Sequence, residues 1–272
     1  MKVLPKFSVV VSVYGGDRPD WVAESIESIF HQSVKPNEVI LVVDGPIGCD
    51  LRRQVNILSK CKKIKVLETA LNRGLGFSRH LAIMNTTNEI IAFMDSDDVS
   101  VYDRFERQLV EMSSKSVDVL GGLIEEFDES LKGESCIRLV PADEKQILGL
   151  AKWRSPMNHV TVMLRKKAYL ASGGYVPMRA NEDYDLFVRM MQCGCKFKNL
   201  QIILVKVRGG LGLLDRRGGL ELLISDILIF RKMFKSGFLS AMHLIFNILL
   251  RVFIRFAPVW VRRFIYRRVL RT

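Results

Sequence analysis

Apolar residues in the first hundred positions fall in short runs, broken by at most single polar residues, rather than in strict alternation. Residues 7–13, 38–43, 64–68 and 89–94 are such runs, rich in Val and Ile. Runs of this kind, bounded by Gly, Pro, Asn or Asp, read as strands buried on both faces. Residues 20–31, about 49–59 and about 76–85 lie between them and read as helices. Strand and helix alternating in this way predict a mostly parallel sheet with right-handed crossovers. Each predicted strand also ends in an unusual polar sequence: Tyr14-Gly15-Gly16-Asp17, Asp44-Gly45-Pro46, Asn72-Arg73-Gly74 and Asp95-Ser96-Asp97-Asp98. In a parallel sheet all four fall on one edge, the edge where ligands of open α/β sheets sit.

Beyond a helix at 102–114 the pattern is less regular. One or two strands are predicted at 117–127 around Gly121-Gly122, with further strands at 135–140, 159–164 and 197–205. These are expected to add antiparallel edge strands. Helices are predicted at 143–150 and 181–192, the second opening on Asn181-Glu182-Asp183. From 220 the chain reads as helical: 220–234, 238–256 after Ser236-Gly237, and a basic helix at 259–270 after Ala257-Pro258.

Composition changes this picture mainly at the end of the chain. At 272 residues and 49% hydrophobic, the protein has the material for one large core. The net charge is +12, and residues 238–272 supply seven arginines with no lysine and no acid. Those arginines alternate with bulky aliphatic and aromatic residues rather than with Gly, Ser or Lys. This favours an interfacial, anionic membrane surface over nucleic acid as partner. The apolar run at 238–250 contains His243 and Asn247 and is too short to span a bilayer. The five scattered cysteines lack zinc-ligand spacing and predict a reduced protein, and nothing at the start reads as a signal peptide.

Three carboxylates at the end of one buried strand lose hydration and repel one another unless a cation compensates them. Hard oxygen ligands suit a divalent ion such as Mn2+ or Mg2+, in a site for a phosphorylated ligand. The competing reading makes Asp95 to Asp98 the cap of the helix at 102–114. Glu182 and Asp183 likewise have two readings: acids favoured by a helix dipole, or a catalytic pair.

Taken together, these stretches resemble a family 2 glycosyltransferase of GT-A fold, and most nearly the bacterial enzymes of O-antigen and exopolysaccharide repeat units. The matching segments are 8–14, 36–46, 72–76, 94–98, 158–163 and 181–186, so the likeness covers about 5–218. It implies an α/β, Rossmann-like fold with a mostly parallel central sheet and antiparallel edge strands, followed by C-terminal amphipathic helices. A catalytic domain at 1–218 would divide into a nucleotide-sugar half (about 1–115) and an acceptor half (about 116–218). Residues 219–272 would form a basic, membrane-associating region.

The resemblance implies that Ser12, Val13 and Tyr14 contact the nucleotide, that Asp44 meets the uracil edge, and that Arg79 lies near the nucleotide-sugar. Asp97 is implied as the metal ligand, with Asp95 on the metal or on the ribose. Asp183 matches the base that deprotonates the acceptor, with Glu182 as orienter. The implied reaction transfers a hexose, galactose or glucose, from a UDP-sugar to a lipid-diphosphate-linked sugar at the inner face of the bacterial cytoplasmic membrane. It inverts the anomeric carbon. Arg208, Arg216 and Arg217 read either as a diphosphate grip or as a solvated loop. His159 reads as a packed histidine. Two rivals stay open: a sugar-phosphate nucleotidyltransferase, and a basic adaptor for membranes or nucleic acids.

Overall fold

A computed structural model describes residues 4–114, 116–127, 131, 135–178, 180–209 and 220–257. The four predicted strands form the first half of one sheet: β1 (Phe7–Tyr14), β2 (Glu38–Asp44), β3 (Lys65–Thr69) and β4 (Ile90–Asp95). They run parallel in the order β3-β2-β1-β4. The crossovers are α1 (Pro19–Phe30), α2 (Cys49–Lys62) and α3 (Leu75–Met84).

Because side chains alternate along a strand, each strand feeds two cores. Val9, Val11 and Val13 of β1 pack with Ile26 and Ile29 of α1 and Leu51 of α2. Val10 packs on the opposite face with Ala82 and Ile83 of α3. Burial on both faces is why β1, β2 and β4 read as near-continuous apolar runs.

The second half of the sheet departs from the predicted pattern in instructive ways. The segment expected as a strand at 159–164 begins as a 3-10 turn (His159–Thr161) and pairs only as β8 (Met163–Arg165). That strand does more than extend an edge. It inserts antiparallel between β4 and β6 (Val119–Glu126). The long β9 (Phe197–Val207) runs parallel to β6, with irregular register after Gly122 and Leu123. Short β7 (Cys136–Arg138) pairs with β6.

Two residues, Val99 and Ser100, form β5 and pair with the far end of β9. This strand overturns the capping alternative for Asp95 to Asp98, because α4 (Arg104–Met112) starts only at Arg104, with Asp103 at its cap position. The helix of 143–150 is α5 (Glu144–Ala151), capped by Asp143. A helix absent from the predictions, α6 (Lys166–Ala171), follows β8.

The candidate catalytic helix is α7 (Glu182–Gln192). Leu186, Phe187 and Met190 enter the sheet core, while Tyr184 and Val188 face α8 (Leu220–Lys235) through Ile229, Phe230 and Met233. Helix α9 (Ala241–Phe256) folds back on α8 and is capped by Ser240. Among the described residues no helix is long and apolar enough to cross a membrane. The predicted helix at 259–270 and the positions Arg216 and Arg217 lie outside the described residues.

Candidate active site

Strand register assembles the site. Tyr14 pairs with Asp44, Asp44 with Thr69, and Ser12 with Asp95. The four polar strand ends therefore stand side by side at the carboxyl edge. A cleft opens there between Ser12, Val13, Tyr14, Asp44, Asn72, Gly74 and Leu75. Tyr14 is exposed at its rim, and the buried Ser12 hydroxyl has no hydrogen-bond partner among the described residues.

Asp44 shapes one wall of this cleft. Its carboxylate accepts the Arg73 and Gly74 backbone N–H groups at 2.9 Å each and the Thr69 hydroxyl at 3.1 Å. Gly45 follows with φ of 82°, and a Cβ there would stand 2.5 Å from the Asn72 nitrogen. Glycine is what lets the 45 and 72 turns approach. Asp44 thus faces the cleft while most of its acceptor capacity is spent on the 72–74 turn.

The acidic turn after β4 is held from several sides. Ser25 on α1 donates to the Asp95 carbonyl at 2.8 Å. Asp17, at the end of the β1 loop, accepts from the Tyr14 N–H at 3.0 Å and the Ser96 hydroxyl at 2.9 Å. Pairing of β5 with β9 carries Arg208 over the turn. Its N–H donates to Asp98 at 3.0 Å, and its guanidinium donates to the Asp97 carbonyl and the Glu24 carboxylate. Arg208 is buried. Its burial overturns the solvated-loop reading.

Crowded carboxylates change their acidity. Burial, followed by the Asp95 and Asp17 charges, pushes Asp97 up to about 6. Burial and the charges of Asp97 and Asp95 hold Asp98 well above the carboxylate range, and burial also raises Asp17. Beneath the turn lies Arg104, fully buried on α4, donating to the Phe93 and Val160 carbonyls at 2.7 and 2.9 Å. Burial lowers its pKa to about 9, with Asp95 and Asp98 opposing.

The two predicted acid sets meet at Arg79 on α3. Its Nη2 donates to Asp95 at 2.8 Å, and its Nη1 lies 3.5 Å from Glu182 at the start of α7. Burial opposes the charge of Arg79, but Asp95, Tyr175 and Glu182 outweigh it and raise the pKa. Glu182 also packs near Gly76, where an added Cβ would meet its side chain at 3.3 Å. Burial and neighbouring Asp183 raise the Glu182 pKa, and Arg79 works against them. Asp183 is partly exposed and accepts the Tyr184 N–H at 2.8 Å.

His159 is partly buried, bonded at 2.7 Å to the Tyr175 hydroxyl and packed on Phe93 and Phe187. Burial holds it neutral, as a packed histidine. The sequence reading passes over three residues that the fold brings to the site: Asp17, Arg104 and Tyr175. Only Asp17 carries a signal, since it closes one of the four polar strand ends.

A sequence model described as Glycosyl transferase family 2 matches residues 8–174. The chain is 32% identical over 268 residues to the UDP-Gal:alpha-D-GlcNAc-diphosphoundecaprenol beta-1,3-galactosyltransferase of Escherichia coli, covering 98% of this chain and 97% of that one. It is 30% identical to the amylovoran biosynthesis glycosyltransferase AmsE of Erwinia amylovora, covering 96% and 98%. The solved structure of S. aureus TarS superposes with a TM-score of 0.66 at 19% identity, over 97% of this chain and 46% of that one. That likeness speaks for the fold.

Proposed function

The chain belongs to glycosyl transferase family 2 and has the GT-A fold, and from that premise we propose that it is an inverting hexosyltransferase. It moves galactose or glucose from a UDP-sugar to GlcNAc-diphosphoundecaprenol, forming a β-linkage, in O-antigen or exopolysaccharide synthesis. The named activity of the E. coli relative supports the donor and acceptor class. The observation that carries the reading is the Arg79 bridge: one buried guanidinium joins the strand-end acid Asp95 to Glu182, beside Asp183.

In this reading the cleft at Ser12, Val13, Tyr14 and Asp44 takes the uridine. Ser12 offers its unpartnered hydroxyl, and Asp44 holds the 72–74 turn against the base. Arg79 stays charged and orients Asp95 and Glu182 toward the donor sugar. Asp183 accepts the proton of the acceptor hydroxyl as that oxygen attacks, with Glu182 as its orienter. One base and one direct displacement invert the anomeric carbon. Arg216 and Arg217 are proposed from sequence alone to grip a diphosphate.

A divalent cation fits the donor set. Among the described residues no three His, Cys, Asp or Glu side chains are arranged to enclose an ion. Mg2+-type sites, however, commonly use one or two carboxylates completed by water and substrate phosphates. Asp97 is partly buried beside the Asp95 and Asp17 carboxylates, and a cation would relieve that crowding of like charges. Asp97, with Asp95 beside it, would hold Mn2+ or Mg2+, whose charge would neutralise the departing diphosphate.

The same reading assigns 1–115 to the nucleotide-sugar, 116–218 to the acceptor and 219–272 to the membrane, and puts the protein at the inner face of the cytoplasmic membrane. The exposed face of α9 supports this, with Met242, Ile245, Leu249 and Phe253 each more than half exposed. The test is a screen of UDP-hexoses against a synthetic GlcNAc-diphosphate lipid, with Mn2+ present and absent, and digestion of the product by β-specific glycosidases. A β-linked product that requires the cation is expected. Pyrophosphate release from UTP, or an α-linked product, overturns the proposal.

A further inference from the structure

Asp226 of α8 is a buried carboxylate far along the sequence from every acid the reaction uses. Its Oδ2 accepts from Arg255 Nε and Nη2 at 2.9 and 2.7 Å, and Arg251 Nε lies 4.0 Å away. Both arginines belong to α9, one turn apart on the same face. Its Oδ1 accepts from the Asn181 side-chain amide at 3.1 Å.

Asn181 is the residue immediately before Glu182 and Asp183. Its backbone is left-handed, with φ of 63° and ψ of 24°, a conformation that glycine adopts freely and asparagine adopts most readily among the others, helped by its side-chain hydrogen bond. Its carbonyl accepts the Asp185 N–H at 3.0 Å, the first turn of α7. The conformation of Asn181 therefore fixes where α7 begins and where its first two acids point. The bond from Asp226 secures that conformation, and Arg255 secures Asp226.

We propose that Asp226 is a positioning residue that ties the start of α7 to α9, so that the seat of the C-terminal hairpin sets the aim of the catalytic acids. This rests on the reading of Asp183 as the base. It explains why two of the tail arginines turn inward: Arg255 and Arg251 are largely buried against Asp226 and against the Trp153 carbonyl, which accepts from Arg251 at 2.9 Å. It also gives the apolar outer face of α9 a mechanical connection to the chemistry, since Phe253 and Arg255 share one helical turn.

The test uses the full chain and two variants. Asn181→Gly keeps the left-handed backbone, which glycine adopts freely, and removes only the bond to Asp226. Arg255→Met releases Asp226 from α9. Both are expected to lower kcat about tenfold or more, as misplaced catalytic groups do, while leaving KM for the UDP-sugar within about twofold. Hydrogen exchange of the Tyr184 and Asp185 amides is expected to quicken in both variants. An Asn181→Gly protein with wild-type kcat and unchanged exchange overturns the proposal, as does a matched rise in KM with kcat intact. If the wild type transfers no hexose but the exchange responds in both variants, the tether stands and the functional reading falls.

Discussion

Asp97, Asp98, Asp17 and Glu182 all have pKa values raised by folding, with burial the leading cause in each. The folded protein then binds more protons than the unfolded chain between the unfolded value of 3.8 for Asp97 and its folded value of about 6. Their contribution to stability is fully present below the unfolded value and is lost as pH rises through the folded one. In EDTA the melting temperature should fall between about pH 5 and about pH 7.5. Mn2+ should raise it more at the higher pH, where the carboxylates are ionised. A cation effect equal at both pH values contradicts this.

Arg79 gives a second residue-level prediction. Arg79→Met leaves Asp95 and Glu182 facing each other without their shared cation, at a cost of about 3 kcal/mol or more in chemical denaturation. Arg79→Lys should not restore turnover, because one ammonium does not replace a fork that reaches two carboxylates. An Arg79→Lys protein with wild-type turnover contradicts the bridge. Asp95 and Asp97 are legible in the sequence because three acids behind a buried run have few other uses. The Arg79 partnership with Glu182 is not, since it closes across 103 positions.

Among the elements, β1, β2 and β4 are legible because burial on both faces leaves an apolar run, whereas the edge strand β3 is partly exposed and is read from its place in the alternation of strand and helix. Strand β5 is not legible, as two residues carry no period; β7 falls inside the strand predicted at 135–140, and β8 takes up only the end of the one predicted at 159–164. Their placement matters all the same: the two-residue β5 brings β9, and with it Arg208, onto the Asp95–Asp98 turn. The helix start of α7 is legible through its three early acids, but the left-handed Asn181 behind it is not. The turn after β2 offers a test at this scale. Gly45→Ala forces a Cβ to 2.5 Å from the Asn72 nitrogen at a positive φ. It should displace the 72–74 turn that Asp44 holds, raising KM for the UDP-sugar about tenfold, the scale of about 1.4 kcal/mol, with a smaller change in kcat. An unchanged KM would mean that this cleft does not take the nucleotide.

Across the whole molecule, the excess of positive charge is legible but its distribution in space is not. Of the tail arginines, Arg251 and Arg255 serve the interior through Asp226, so under the proposed membrane reading the charge attraction would rest on the arginines beyond 258 and the apolar insertion on the exposed face of α9. In the full chain, Phe246→Glu with Phe253→Glu should weaken flotation with anionic vesicles severalfold and leave transfer to a water-soluble acceptor analogue intact. Undiminished flotation of the double variant contradicts the assignment of that face.

The central claim is that one hexose sits between the acid turn after β4 and the start of α7, with separate duties on either side. The most direct measurement is calorimetric UDP binding, in the presence of Mn2+, beside turnover for Asp97→Ala and Asp183→Ala. Asp97→Ala should weaken UDP binding about tenfold or more, whereas Asp183→Ala should bind UDP as the wild type does and lose turnover by about a hundredfold or more. Turnover close to wild type in Asp183→Ala, or unchanged UDP binding in Asp97→Ala, contradicts the account.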